Sequence, residues 1–340
     1  MSTVDVIIPC YRYGHYLRAC VESVLAQEGV QVRVLIIDDE SPDSTPEVGG
    51  RLASEDSRVT FRRHVTNQGH IATYNEGIAW VESKYFLLLS ADDYLQPGAL
   101  ARAAALMDAD DGVSFCYGNS LELDETLQFR QAPVGMTGGQ DAADHTMAGA
   151  DFIALCRRAG TNNTVPTPTA VVRTSLQKRL DGYRPELPHT GDLELWLRLA
   201  AHGRVGFIAA NQAVYRRHAA NMSLAYGGDN RLADLRQREA AIEWFCSSCS
   251  TVLPDAAATR SSLLEPIARE AAQCASGALN DGRPDLADRF SEFARRIHPG
   301  ITHTAPWLAL AVKRRLDRRV ARALTHTVGA LRRTAGRIFG

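Results

Sequence analysis

Tyr85-Phe-Leu-Leu-Leu-Ser-Ala-Asp-Asp-Tyr94 is the stretch on which the reading of this sequence turns. Its apolar run, residues 86–89, stops at Ser90-Ala91-Asp92-Asp93. A run this short suits a strand buried on both faces of a parallel sheet better than a helix. Two adjacent carboxylates at its end repel each other and are costly to bury, and a divalent cation offsets that repulsion. Open α/β sheets bind ligands outside the carboxyl ends of their strands. Asp92 and Asp93 are therefore candidates to present a metal ion that holds a phosphorylated ligand. The plainer alternative is a strand-ending Asp-Asp turn.

The flanking sequence repeats the strand–helix alternation. Residues 4–8 read as a first buried strand, and residues 16–27 as a helix with Leu17, Val21, Val24 and Leu25 on one face. Residues 32–37 form a second apolar strand ending in Asp38-Asp39-Glu40-Ser41-Pro42-Asp43. A weak helix over 45–54, a strand over 59–64 and a helix from Asn67 to about 81 follow. After the 85–90 strand, Pro97 opens a helix with Leu100, Ala103, Ala104 and Met107 inward, and residues 113–117 make a fifth strand. This pattern predicts a doubly wound, mostly parallel sheet flanked by helices. Right-handed crossovers then bring Asp38, Asp39, Asp92 and Asp93 to one edge. No GxGxxG follows the first strand and no GxxxxGK[ST] occurs, which disfavours dinucleotide-binding and P-loop readings.

Further on, residues 135–150 read as a loop over the site and 151–158 as a short helix. A strand over 169–173 and a helix from Ser175 precede Gly182-Tyr-Arg-Pro-Glu-Leu-Pro-His-Thr-Gly-Asp192. Asp192 opens an amphipathic helix, where an Asp is commonly an N-cap. Residues 205–208 and 213–215 read as two short strands, with Arg216-Arg217-His218 next. Beyond about Ala225 the patterns are helical only, predicting a region either packed on the core or forming an appendage.

The bulk composition is that of a globular protein: 340 residues, 45% hydrophobic and 23% charged, with a formal net charge of -1. The charge is uneven, since residues 313–337 carry nine Lys/Arg and one Asp. Seven scattered cysteines suggest no disulfide framework and a cytoplasmic location. Cys246-Ser-Ser-Cys249 has no second pair to complete a metal site. The start of the chain does not read as a signal peptide, and no run of about 18 apolar residues predicts a membrane span.

The motifs resemble family 2 glycosyltransferases. They are Val-Asp-Val-Ile-Ile-Pro-Cys-Tyr at residues 4–11, Ile-Ile-Asp-Asp-Glu-Ser-Pro-Asp-Ser-Thr at 36–45, and Asn67-x-Gly69 with Asn75-x-Gly77. Ser-Ala-Asp-Asp-Tyr, Gly-Asp-Leu-Glu-Leu-Trp-Leu-Arg and Tyr-Arg-Arg-His with Asn-Met-Ser complete a set in family order over roughly residues 3–225. The resemblance implies a GT-A fold, Rossmann-like, with a helical C-terminal region. Residues 1–225 would be catalytic: 1–120 binding the nucleotide sugar and 121–225 the acceptor, with 226–340 helical. It also implies inverting transfer of a hexosyl or N-acetylhexosaminyl group from a UDP- or dTDP-sugar to a hydroxyl. The acceptor would be a glycan, a lipid-linked glycan or a small molecule.

Carried over by position, Asp39 would accept from the base N–H and Tyr11 would stack on the base beside Pro9. Asp38 would shape that loop, and Asn67, His70 and Asn75 would approach the donor. Asp92 would contact ribose or metal-bound water, and Asp93, with His218, would hold Mn2+ or Mg2+. Asp192 would be the general base, with Glu194 the fallback. The family commonly has Glu before this Asp, where this chain has Gly191.

Leu308, Val312, Leu316, Val320, Leu324, Val328 and Leu331 recur with helical spacing among basic residues. They predict a basic amphipathic helix over 305–335, either peripheral at the inner face of an anionic membrane or packed on the body or a second subunit. Lacking interleaved aromatics, it is not read as binding nucleic acid. A catalytically silent sugar-nucleotide-binding scaffold is the competing function, and the presence of Asp93 and Asp192 argues against it.

Overall fold

β1 (Thr3–Cys10), β2 (Gln31–Asp38), β3 (Val59–Arg63) and β4 (Tyr85–Leu88) pair in parallel in the spatial order β3-β2-β1-β4. The computed structural model describes residues 1–131, 143–221 and 230–315. Strand side chains alternate between faces, so each apolar run feeds two cores. Val4, Val6, Ile8, Val34, Ile36, Leu87 and Leu89 pack with Leu17, Val21, Leu100 and Met107. The last four belong to α1 (Gly14–Leu25) and, beyond α2 (Thr45–Glu55) and α3 (His70–Trp80), to α4 (Ala99–Ala109). Ile7, Leu35, Ile37, Phe86 and Leu88 face the other way, onto Ile71 and Ile78 of α3.

The remaining strands are β5 (Tyr94–Leu95), β6 (Val113–Leu123), β7 (Phe129–Gln131), β8 (His145–Met147), β9 (Val171–Arg173) and β10 (Arg204–Arg216). β9 runs antiparallel between β4 and β6, and β6 pairs in parallel with β10. The parallel character thus continues across one reversed strand. The two short strands expected over 205–215 are one strand, β10, with register shifts at Ile208/Asn211 and Asn211/Ala213. The polar residues that suggested a break are absorbed by the bulge. Gln212 is 1% exposed, donates to Ala99 O (3.0 Å) and accepts from Arg102 Nε (2.7 Å). Pro97 precedes α4 rather than opening it, because Gly98 takes the left-handed N-cap position (φ 73°).

Helices α5 (Gly149–Arg158), α6 (Thr174–Arg179) and α7 (Gly191–Ala201) belong to the second half. α8 (Arg231–Ser248), α9 (Ala256–Asn280), α10 (Pro284–Ile297) and α11 (Ala305–Arg315) complete the described chain. Of the two arrangements expected for this region, packing on the core is found. Leu235, Ile242, Phe245, Leu263, Ile267, Phe290 and Phe293 join the α3 face of the sheet in one apolar cluster. Cys246 and Cys249 are buried free thiols within it. In α11, Leu310 is buried and Lys313 Nζ donates to Ser276 Oγ (2.6 Å), while Leu308 and Val312 are 56% and 54% exposed. Stripe positions from Leu316 onward, and residues 135–142 of the expected 135–150 loop, lie outside the described residues, and in place of a loop the remainder holds β8 and the start of α5.

Two glycines give opposite expectations. A Cβ on Gly77 would collide with Ile7 Cγ2 where α3 lies on β1, whereas one on Gly50 in α2 would meet nothing within 4 Å. Gly77→Ala is therefore expected to lower stability by about 1–3 kcal/mol. Gly50→Ala is expected to raise it by about 0.5–1 kcal/mol. Urea midpoints read both.

Candidate active site

The four strand-end acids do share an edge. Cys10 is level with Asp38 across β1 and β2, and Leu89 N donates to Ile7 O (2.9 Å) where β4 ends. Asp38 is fully buried. Its Oδ1 accepts from Ser41 N (2.9 Å), and its Oδ2 lies 3.1 Å from Arg63 Nε without hydrogen-bond alignment. It holds the 39–43 loop in place.

Asp39 is more heavily engaged. Oδ1 accepts from Gln68 N (2.7 Å) and lies 2.7 Å from His64 Nδ1, and Oδ2 accepts from Gly69 N (2.9 Å). Asn67 Nδ2 donates to Asp39 O (2.8 Å). The Asn67-x-Gly69 motif is therefore the collar of Asp39, closing the N-terminus of α3. His64 Nε2 meets Glu76 Oε2 at 2.8 Å, so the ring bridges two carboxylates. Burial depresses its pKa, but the hydrogen bonds to Asp39 and Glu76 outweigh burial and raise it. Imidazolium can donate to both. Beside this loop, Tyr11 at the end of β1 is 39% exposed, next to half-buried Pro9, with the Arg12 guanidinium 5.0 Å from its ring centroid.

Asp92 and Asp93 are 6% and 2% exposed. Asp93 Oδ1 accepts from Arg216 N (3.0 Å), and Arg216 Nη1 donates to Asp92 O (3.1 Å). The Arg216 guanidinium sits between the rings of Tyr16 (4.8 Å) and Tyr94 (4.9 Å). His218 Nε2 lies 3.1 Å from Asp92 Oδ2, while its Nδ1 accepts from Ala220 N (3.2 Å). Its ring stacks on Tyr16 (5.5 Å) and meets Tyr13 edge-on (5.4 Å). Asn221 clips this turn by accepting from His218 N (2.7 Å) and donating to Arg216 O (3.1 Å). Thus His218, expected beside Asp93, contacts Asp92. Burial, then the charge of Asp92, pushes the Asp93 carboxyl well above the ordinary range, against the opposing pull of Arg216.

That excess of buried negative charge fits a divalent cation. Among the described residues no three His, Cys, Asp or Glu side chains form a ready-made metal cage. Such a site suits Mg2+ or Mn2+, which keep waters and share phosphate oxygens.

Asp192 is the second residue of α7, and Thr190 holds the N-cap position. Its side chain does not cap. Oδ1 accepts from Tyr183 Oη (2.9 Å) and Oδ2 from Thr167 Oγ1 (2.9 Å). Burial raises its pKa, opposed by those two hydroxyls and by His70 and His189. Glu194 is instead fully buried and bonded to Arg198 by both oxygens (2.9 Å each), as a structural ion pair. Asn75 and His70, expected toward the donor, make their side-chain hydrogen bonds on the loop before α7. Asn75 bonds Tyr183 N (2.7 Å) and Tyr183 O (2.9 Å), and His70 Nε2 lies 2.8 Å from Pro188 O. The hydroxyl of Tyr74 is pushed upward by burial and then by the charges of Asp192 and Asp92. Trp196 stacks on Phe115 (5.1 Å) in the core.

Tyr13, Tyr16, Tyr183 and Thr167 were not singled out from the sequence. Tyr183 stands within the quoted Gly182–Asp192 stretch, and Thr167 between two prolines. Neither position signals a partner far along the chain.

A family model, "Glycosyl transferase family 2", matches residues 5–164. Over these residues the chain belongs to this family. It is a glycosyltransferase. An uncharacterized protein of Mycobacterium tuberculosis is 26% identical over 219 residues, covering 64% of this chain and 67% of that one. The chondroitin synthase of Pasteurella multocida is 26% identical over 225 residues, but the match spans only 21% of its length. S. aureus TarS 1–349, solved with UDP-GlcNAc, superposes with TM-score 0.59 at 15% identity, covering 87% of this chain and 92% of that one. The Pyrobaculum calidifontis mannosyltransferase PcManGT, solved with GDP-Man and Mn2+, gives TM-score 0.51 at 18% identity, covering 91% and 86%.

The His64 bridge has a pH signature. A raised folded pKa means the bridge stabilises fully below the unfolded value of 6.5 and fades as pH rises through the folded value. His64→Gln is expected to cost about 1.5–3 kcal/mol at pH 6. The deficit should shrink toward pH 9, as read by denaturant titrations of both proteins.

Proposed function

We propose that this glycosyltransferase is inverting and metal-dependent, and that it moves a hexosyl or N-acetylhexosaminyl group from a UDP-sugar, or a dTDP-sugar, to an acceptor hydroxyl. The acceptor would belong to a glycan, a lipid-linked glycan or a small molecule. The observation that carries the reading is Asp192, a half-buried carboxylate of raised proton affinity that two hydroxyls hold and that does not cap its helix. A pKa above the ordinary carboxylate range suits a general base. Asp192 would take the proton of the acceptor hydroxyl as that oxygen bonds to the anomeric carbon and the nucleoside diphosphate leaves from the opposite face.

Donor recognition would fall to the other edge group. Asp39 would accept the N–H of a uracil- or thymine-type base, and Tyr11 offers an open ring for stacking. The UDP-GlcNAc bound by TarS supports a uridine donor, while the GDP-Man bound by PcManGT makes guanine the alternative to test. Asp92, Asp93 and His218 would hold Mg2+ or Mn2+, which would neutralise charge on the diphosphate. His218, which now meets Asp92, would be one of the residues holding the ion.

The exposed Leu308 and Val312, at the start of a segment with nine basic residues and one acidic over 313–337, support peripheral contact with an anionic membrane surface. Each basic residue near such a surface contributes about 1 kcal/mol.

Calorimetry with UDP and Mn2+ tests the donor site: Asp93→Ala should abolish metal-dependent binding, and unchanged affinity would remove the acid from the metal site. Asp192→Asn should keep donor binding but lower sugar transfer about 10²–10⁴-fold; near-normal turnover would move the base elsewhere. Wild-type activity should rise with pH along a limb above the ordinary Asp value of 3.8, since the base works ionised. Co-sedimentation should show binding to phosphatidylglycerol vesicles and not to phosphatidylcholine alone, and Leu308→Asp with Val312→Asp should weaken it. Equal recovery on both lipids would refute an electrostatic membrane site.

A further inference from the structure

Asp192 is held from two directions, and one of the two holders is itself anchored to the donor half of the protein. Tyr183 Oη donates to Asp192 Oδ1 (2.9 Å), and Asn75 clasps the Tyr183 backbone at both N (2.7 Å) and O (2.9 Å). Asn75 lies in α3, and Asp39 accepts from Gln68 N and Gly69 N in the turn that leads into that helix. Three features let the tyrosine sit there. Gly182 leaves room for Asn75, since a Cβ there would overlap Asn75 Oδ1. Gly191 leaves room for the ring, since its Cβ would stand 3.0 Å from Tyr183 Cδ1. Tyr74 meets the ring edge-on at 5.2 Å. A side chain at 191, where the family commonly has Glu, would press on this ring.

We propose that Tyr183, clasped by Asn75, is a positioning residue for the Asp192 carboxylate and makes the orientation of the base depend on α3. The proposal rests on Asp192 as the general base. Tyr183 and Thr167 each supply an O–H to one carboxylate oxygen, which orients the carboxyl group and favours its ionised form. The groups facing Asp192 that can also carry charge are His70 from α3, His189 from the loop before α7, and the phenols of Tyr74 and Tyr183. His70 and His189 act in the same direction as the two hydroxyls.

The test is a carboxyl-carbon NMR titration of the full chain labelled with 13C-aspartate, with Asp192 assigned by the signal lost in Asp192→Asn. Tyr183→Phe keeps the ring and removes one donor, so the Asp192 midpoint should rise by about one pH unit. Thr167→Val should do the same through the other oxygen. Asn75→Ala, which loosens the clasp without touching Asp192, should move it in the same direction by less. The acid limb of UDP release should follow the midpoint, with the Kd for UDP unchanged in Tyr183→Phe. A midpoint that stays put in Tyr183→Phe would overturn the positioning role, whatever happens to thermal stability. If Asp192→Asn keeps full transfer while Tyr183→Phe still shifts the midpoint, the base assignment fails and the hydrogen bond stands.

Discussion

A carboxylate taken out of water must be given donors, and Asp39 receives them from the turn that leads into a helix. Gln68 N and the N-cap Gly69 N both donate to Asp39, so the loop after β2 and the start of α3 cannot move independently. Much of the site follows from that closure. Asn67 folds back onto the Asp39 carbonyl, His64 is drawn in against its carboxylate, and Glu76, one residue beyond Asn75, meets the far side of the imidazole. Helix α3 is thereby fixed in rotation, with Asn75 aimed at Tyr183. The group expected to read the donor base and the group expected to take the acceptor proton are attached to one rigid rod.

The second acid pair is handled differently. Asp92 and Asp93 receive one backbone N–H from Arg216 and a contact from His218, and no carboxylate-guanidinium fork. Arg216 spends its side chain on a carbonyl and on two tyrosine faces. Among the described residues, burial here is opposed only in part, by the charge of Arg216. The ion pairs Glu194–Arg198 and Asp234–Arg238 show how the same chain treats acids whose task is structural. In each, an arginine one helical turn away neutralises the carboxylate. The contrast separates acids that hold the fold together from the pair proposed to hold a cation.

Much of this was legible in the sequence because it is local. Apolar runs of strand length, broken by acids, mark the sheet and its reactive edge, and the family motifs keep their order along the chain. Three things were not legible. The polar residues Asn211 and Gln212 look like the end of a strand, because a bulge with a satisfied buried amide has no local signature. The reversed strand β9 looks like any other short apolar run, since direction is set by what precedes and follows it. Thr167 and Tyr183 become partners of Asp192 only through contacts across 25 and 9 residues, and the tyrosine's place depends on two bare glycines. Asn75 and His70 were legible as motif members. What they bind was not, because a motif marks a position and not the direction in which its side chain points.

The reversed strand also bears on how such an enzyme could diversify. Because β9 runs against its neighbours, the residues just before it arrive at the same edge that the parallel strands leave, and Thr167 is delivered there from the opposite direction. The stretch between β6 and α5 can then change in length and composition while both of its ends stay pinned, one by β10 and the other by the α5–α7 crossing, where Gly149 lies against Ala200 O. Thr167, Tyr183 and Asp192 all lie outside that stretch. Exchanging that stretch between relatives is a modular graft that leaves the hydroxyls around Asp192 where they are.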